Sequence, residues 1–433
     1  MTVSQPRITQ VAAREVLDCR GLPTVQADVW LDGGVLGRAD VPAGRSTGAN
    51  EARELRDGGP RYGGFGVRGA VANINGEIAS AVVGQPGQRQ RELDFLLCDL
   101  DGTADKSRLG ANAILAVSLA AARAAAAAAG LPLYRYLNAD AHVLPVPQIN
   151  LINGGLHASN DLDFQEIIFM PVGASSFSEA LQIASEVNLT LREIILERYG
   201  KAAINVGDEG GCAPQVSDPA EALELLAEAV GQAGYADIVR YGLDCAATHL
   251  YNADTETYSV AGDELDRASL IGLYDRLVRE HGVVSIEDPL DEEDFVGFAE
   301  ATKRLGIQIV GDDLFVTNPA RVKRGIEDGA ANALLWKVNQ IGTLSEALDA
   351  ASVALRNGYR VVVSERSGET EDPIISDLVV ALNAGQIKAG APVRGERTAK
   401  YNRLLQIEEE LGSAAVYAGD VFTEGRLLES ASS

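Results

Sequence analysis

Charged residues recur at the ends of short apolar runs in this chain. Glu166 lies in FQEIIFM (164–170), Asp244 ends GLD, Glu287 sits in VVSIED (283–288) and Asp312 in IQIVGDD (307–313). Lys337 follows LLW, and Lys388 follows GQI. Taken singly, each has an unremarkable structural explanation. A lone Glu is solvated, a lone Lys snorkels, and an Asp after a strand caps the next helix, which is the reading for Asp288 and Asp313. Taken together, carboxylates on successive strand ends repel one another unless a cation sits among them. Asp244, Glu287 and Asp312 therefore read as one site for a hard metal. All-oxygen ligands favour Mg²⁺ or Mn²⁺ over zinc, which would bring Cys and His.

The elements that must position these residues have a regular spacing. From Asp312 to Lys337 to Glu365 to Lys388 the steps are 25, 28 and 23 residues. Each step fits a strand, a helix and two loops, so the second part of the chain is expected to be a parallel (β/α) barrel with its active site at the C-terminal strand ends. The first part reads as α+β. An alternating segment at Thr24–Trp30 is followed by a turn at Asp32–Gly34, which leads into the loop VPAGRSTG, 41–48. Residues 109–129 place Ile114, Leu115 and Leu119 at helical spacing and stop at Gly130 before Pro132, which marks a core helix. The segment 143–155 is the expected joint, giving an N-terminal α+β capping domain over 1–140 and a barrel over 141–433.

Composition narrows the function. The 433 residues carry a net charge of −25, with a pI near 4.6, and this opposes binding to nucleic acid or to anionic membrane. An acidic protein that handles phosphates needs metal ions. Cys19, Cys98, Cys212 and Cys245 lack CxxC spacing and read as buried or half-buried thiols of a reducing compartment. No apolar leader region opens the sequence, and no stretch reaches the roughly 20 uncharged apolar residues of a membrane span. A cytoplasmic protein is expected.

Ordered motifs then resemble the enolase (phosphopyruvate hydratase) family over nearly the whole chain. They include DCRGLPTV (18–25), NGGLHA (153–158), GDEGG (207–211), SIEDP (285–289), GDDLFVTNP (311–319), KVNQIGT (337–343), RSGETED (366–372) and GQIKAGAP (385–392). The resemblance implies that Asp244, Glu287 and Asp312 hold Mg²⁺, that Lys337 is the base, and that Glu209 is the general acid supported by Glu166. It also implies that His157 and Lys388 contact substrate, that Arg366 and Ser367 bind phosphate, and that the loop 41–48 is mobile. A C–H beside a carboxylate is a very weak acid, so its enediolate must be stabilised by charge, the enolase-superfamily pattern of a lysine base with Mg²⁺. Lys337 needs a lowered pKa, expected from Lys388 and the metal, and Glu209 a raised one, expected from Glu166. The implied assembly is a homodimer or larger, and the implied substrate a small phosphorylated acid.

Two stretches depart from the family pattern. The family's PSGAST is here Pro42-Ala43-Gly44-Arg45-Ser46-Thr47, losing a hydroxyl at Ala43 and gaining the cation of Arg45. The family's SHRSGET is here SERSGET, with Glu365 in place of His. The negative charge of Glu365 needs an offset, for which Arg45 is the candidate, and Arg45 and Glu365 are both expected to contact substrate. Leu22 and Trp336 are also unusual and read as packing. These changes put a specialised relative such as carboxyphosphonoenolpyruvate synthase slightly ahead of ordinary hydratase activity on 2-phosphoglycerate. A non-catalytic binding protein comes a distant third, since the machinery is retained and the chain ends in Ser433, not in a Lys.

Overall fold

The computed structural model describes residues 5–419, so Ser433 lies outside the described residues. The first elements are antiparallel strands β1 (Ile8–Leu17), β2 (Pro23–Leu31) and β3 (Val35–Asp40). The Asp32–Gly34 turn therefore opens first into a strand, VLGRAD, and only then into the loop. The sheet packs on helix α1 (Ala111–Ala128), whose alanines allow a close approach. At Gly37 an added Cβ would lie 2.0 Å from the Ala120 carbonyl oxygen, so only glycine fits. Among the described residues, α1 is the helix that is long and apolar enough to cross a membrane, and 83% of it is buried inside the protein.

A closed eight-stranded barrel follows: β4 (Val146–Asn153), β5 (Glu166–Met170), β6 (Arg240–Asp244), β7 (Val283–Glu287), β8 (Gln308–Gly311), β9 (Ala333–Trp336), β10 (Arg360–Ser364) and β11 (Gln386–Lys388). The segment read as a joint is thus largely the first barrel strand. Helices cover the outside, among them α2 (Phe177–Tyr199) and α3 (Pro219–Gln232) before β6, and α4 (Gly395–Leu411) after β11.

The expectation of a parallel barrel is corrected at one strand, because β5 pairs antiparallel with both β4 and β6. No crossover helix separates β4 from β5, and a direct connection returns the chain in the opposite direction. Strand alternation divides the packing. Leu334, Trp336, Val361 and Val363 join the main core, whereas Val310, Ala333, Leu335 and Val362 form a separate small cluster that fills the inward face. Trp336 is fully buried and donates from Nε1 to the Ala347 carbonyl at 2.6 Å, in keeping with a packing role.

Candidate active site

Register builds the rim of the site. Because β5 is reversed, its N-terminal residue Glu166 lies opposite Asp244, and Asp244 lies opposite Glu287 on the other side. Three buried carboxylates therefore stand side by side at the mouth. The cation among them is Lys388, whose Nζ is 2.9 Å from Asp244 Oδ2, 2.9 Å from Glu287 Oε2 and 3.0 Å from Glu166 Oε2. Although burial disfavours its charge, these carboxylates hold the Lys388 pKa well above the ordinary lysine value. Asp312, just past β8, accepts from Gln340 Nε2 at 2.7 Å and pairs with Lys337 Nζ.

That last pair sets the charge of Lys337 in the metal-free protein. Burial lowers the Lys337 pKa, and Arg366 and Lys388 push the same way, but Asp312 outweighs them and leaves it above the ordinary value. Asp288 and Asp313 are not helix caps. Asp288 is buried and accepts from the backbone N–H groups of Asp312 at 2.9 Å and Asp313 at 2.8 Å, fixing the turn that presents Asp312.

Glu166 and Glu209 form a coupled pair of buried carboxyls. Burial pushes the carboxyl of each upward. Glu166 gains a further push from the Glu209 charge. Glu209 is drawn below the usual carboxylate range by His157, Glu166, Arg397 and Lys388, and it accepts from Asn150 Nδ2 at 2.5 Å. His157 lies 3.4 Å from Glu166 and 3.5 Å from Glu209, with its pKa lowered by burial.

Arg366 is buried, with most of its donors already committed. Its two Nη atoms reach Glu51 at 3.0 Å each, and they also reach Asn339 Oδ1 and the Ser46 carbonyl at 3.0 Å. Nothing in the sequence pointed to Glu51 or Asn339. Ser367 Oγ accepts from the Arg45 backbone N–H at 2.7 Å. The Arg45 guanidinium faces away from substrate space, pairing with Asp208 at 2.8 Å on the surface. The offset for Glu365 is instead Arg397 of α4, which is fully buried and donates to Glu365 Oε2 through Nη1. Burial still pushes the Glu365 carboxyl up to about 8 against the pull of Arg397.

Ala43 is buried, and its backbone exchanges hydrogen bonds with Gly368 at 2.8 and 2.9 Å. The loop hydroxyl residue lining the cleft is Ser46, so the change at Ala43 does not strip the cleft of a serine. Gln165 was also missed. It lines the cleft beside Glu166 and donates to Asp244 Oδ2 at 3.0 Å. A roomier cavity of about 520 Å³ next door shares Gln165 but contains no Lys or Arg, so it offers a phosphate no counter-charge.

The donor set fits a hard divalent cation, because Asp244, Glu287 and Asp312 are buried oxygen ligands from adjoining strand ends. Among the described residues, the groups that place ligand atoms within 4.8 Å of one another are His157–Glu166–Glu209 and Asp288–Asp312–Asp313, whereas Asp244 and Glu287 are bridged by Lys388 Nζ. The second group shares Asp312 with the predicted set.

The family model described as "Enolase, N-terminal domain" matches residues 8–137, and "Enolase, C-terminal TIM barrel domain" matches residues 141–425. The chain belongs to the enolase family. It is thus an enolase-superfamily lyase, and similar curated proteins, each named enolase, align almost end to end with it. That of Pyrococcus furiosus is 59% identical over 96% of this chain and 97% of its own length, and that of Methanocaldococcus jannaschii 59% over 96% and 98%. The Methanococcus aeolicus enolase is 58% identical over 95% and 97%.

Proposed function

We propose that this enolase-family chain is a phosphopyruvate hydratase, interconverting 2-phosphoglycerate with phosphoenolpyruvate and water in the presence of Mg²⁺. The observation that carries this reading is the rim itself, where Lys337 and Lys388 face three aligned carboxylates with Arg366 and Ser367 in the same cleft. The near full-length identity to proteins named enolase favours the ordinary reaction over a specialised one.

In this reading Asp244, Glu287 and Asp312 would hold the Mg²⁺. When bound, the cation would stabilise the negative charge that proton removal places on the substrate carboxylate. Lys337 Nζ takes the proton from C2, and the electron pair moves into the C1–C2 enediolate. For this Lys337 must be neutral, so its ion pair with Asp312 must loosen first. The electron pair then forms the C2=C3 bond, and the C3 hydroxyl leaves as water with the proton held by Glu166 and Glu209. Arg366, fixed by Glu51 and Asn339, contributes a rigid positive charge toward the phosphate. The cleft encloses only about 10 Å³, so loop 41–48, seated on Gly368 and Ser367, has to lift to admit a three-carbon acid. We include in the proposal a division into residues 1–140 and 141–433, a cytoplasmic setting and a homodimer or larger homo-oligomer.

A second reading, the carboxyphosphonoenolpyruvate synthase-like enzyme, draws on one observation: Glu365, the family's His position, lines the cleft as a carboxyl. A phosphoenolpyruvate absorbance assay with 2-phosphoglycerate and Mg²⁺ separates the two. Turnover at typical enzyme rates, ~10 per second or more, supports the hydratase. Weak turnover that recovers in Glu365→His supports the specialised reading.

A further inference from the structure

Buried polar atoms without partners mark where a protein waits for a ligand, because each is costly to leave unmet. Along the cleft these are both nitrogens of His157, both oxygens of Glu166 with respect to hydrogen bonds, Oε1 of Gln165 and Oε1 of Glu365. Of the two carboxyl groups, Glu365 stands apart because its other oxygen is met from within the protein, while the neutral amide of Gln165 is half met in the same way, by Asp244. Arg397 donates to Oε2, to the carbonyls of Arg366 at 2.8 Å, Ser367 at 2.7 Å and Asp208 at 3.1 Å, and to Cys19 Sγ at 3.8 Å, with Glu396 3.6 Å from its Nε. This guanidinium ties the loop before Glu209 to the loop carrying Arg366. It passes Gly390, where a Cβ would lie 2.8 Å from Arg397 Cδ and where φ is +85°, so a glycine is required there. The carboxyl of Glu365 is fixed, with one oxygen bonded and the other unmet.

The chemistry of the substrate says what would meet it. On the hydratase reading the ligand carries a carboxylate, a phosphate and one hydroxyl. The ionised carboxylate and phosphate are acceptors, which repel the ionised form of Glu365 and can meet only its acid form. The hydroxyl alone can satisfy Glu365 Oε1 in either protonation state, donating to the ionised form or accepting from the acid. We propose that Glu365 is a specificity-determining residue that hydrogen-bonds the substrate hydroxyl, with Arg397 as the residue that positions it. This rests on the hydratase reading and deepens it. A site built around a hydroxyl rejects the analogue that lacks it, because the buried oxygen is then left unpaired.

The test compares 2-phosphoglycerate with 2-phospholactate, which replaces the CH₂OH group by methyl, using dissociation constants measured by calorimetry with Mg²⁺ present and with Lys337→Ala added to every protein, so that turnover does not intervene. With Glu365 in place the protein should prefer the hydroxyl-bearing ligand by ~10-fold or more. Glu365→Ala should bring the ratio toward one, Glu365→Gln should retain most of it, and Arg397→Lys should fall between. A ratio near one with Glu365 in place overturns the proposal without any further variant, as does a Glu365→Ala protein that weakens both ligands equally. Binding of both ligands without turnover by the unsubstituted chain under Mg²⁺ would sink the hydratase reading while leaving the ratio to judge Glu365. Binding of neither sinks both.

Discussion

The barrel holds buried polar residues at two levels, and the two are treated differently. Deeper in, Gln386 Oε1 accepts from Gln148 Nε2 at 2.8 Å and Gln308 Nε2 at 3.0 Å, while Gln308 also donates to Ser285 Oγ at 3.0 Å. Two residues farther along the same strands, Ser285 gives way to Glu287 and Gln386 to Lys388, and neutral amides are replaced by full charges. The amide layer closes on itself. At the mouth, buried charges exceed what the chain itself can match with hydrogen bonds, and His157 and Glu166 are left without any. Stability is secured at one level and reactivity held open at the next, only about 7 Å along the strand.

The sharpest way to break this contrast is at the base. Lys337→Ala should lower turnover by ~10²–10⁴-fold, the usual contribution of a positioned proton acceptor, and stop exchange of the C2 proton with solvent deuterium. Its melting temperature should change little by comparison. Persistent exchange would move the role to another residue, with Lys388 the nearest alternative.

Next in size is the amide layer. Gln386→Leu leaves Gln148 Nε2 without its partner and removes one of those of Gln308, which should cost ~1–3 kcal/mol. Thermal unfolding should show the loss, while turnover per folded molecule stays within a few-fold. A Gln386→Leu protein with normal stability and no turnover would show that the deeper level is not merely structural.

How far this division could be read from sequence differs between its parts. The six charged rim residues and helix 109–129 were legible because burial on a strand or helix leaves a periodic signal. The reversal of β5 was not, since an apolar run has no direction. Strand β3 was hidden by its short polar sequence, VLGRAD. The partners of the site were also out of reach: Glu51 and Arg366 are 315 residues apart, and Arg397 meets Glu365 from α4, beyond the next strand. A pKa depends on such partners, and Asp312 beside Lys337 and His157 beside Glu209 are not readable from sequence spacing.

A smaller effect separates the levels by pH. The folded-state pKa of Glu365 is raised from 4.5 to about 8, so the folded protein retains a proton there that the unfolded chain has lost. Its contribution to stability is fully present below the unfolded value and is lost as pH rises through about 8. Glu365→Gln cannot titrate, so its melting temperature should decline less between pH 5 and pH 9 than that of the wild type. Parallel declines would place the proton elsewhere.

The smallest expected effect is at the edge of the cleft, where loop 41–48 meets the barrel. The Arg45–Asp208 pair is 2.8 Å long, but Arg45 is 52% exposed, and exposed pairs contribute roughly 0–1 kcal/mol. The loop has stronger attachments in the Ala43–Gly368 backbone bonds and in the Arg45 N–H bond to Ser367 Oγ, neither of which depends on the Arg45 side chain. Arg45→Ala should therefore raise KM by no more than ~5-fold and leave kcat and melting temperature nearly unchanged, with the difference shrinking further at high salt. A large, salt-insensitive fall in kcat/KM would mean instead that the guanidinium swings inward to touch substrate, and the boundary between surface and mouth would have to be redrawn one residue farther out.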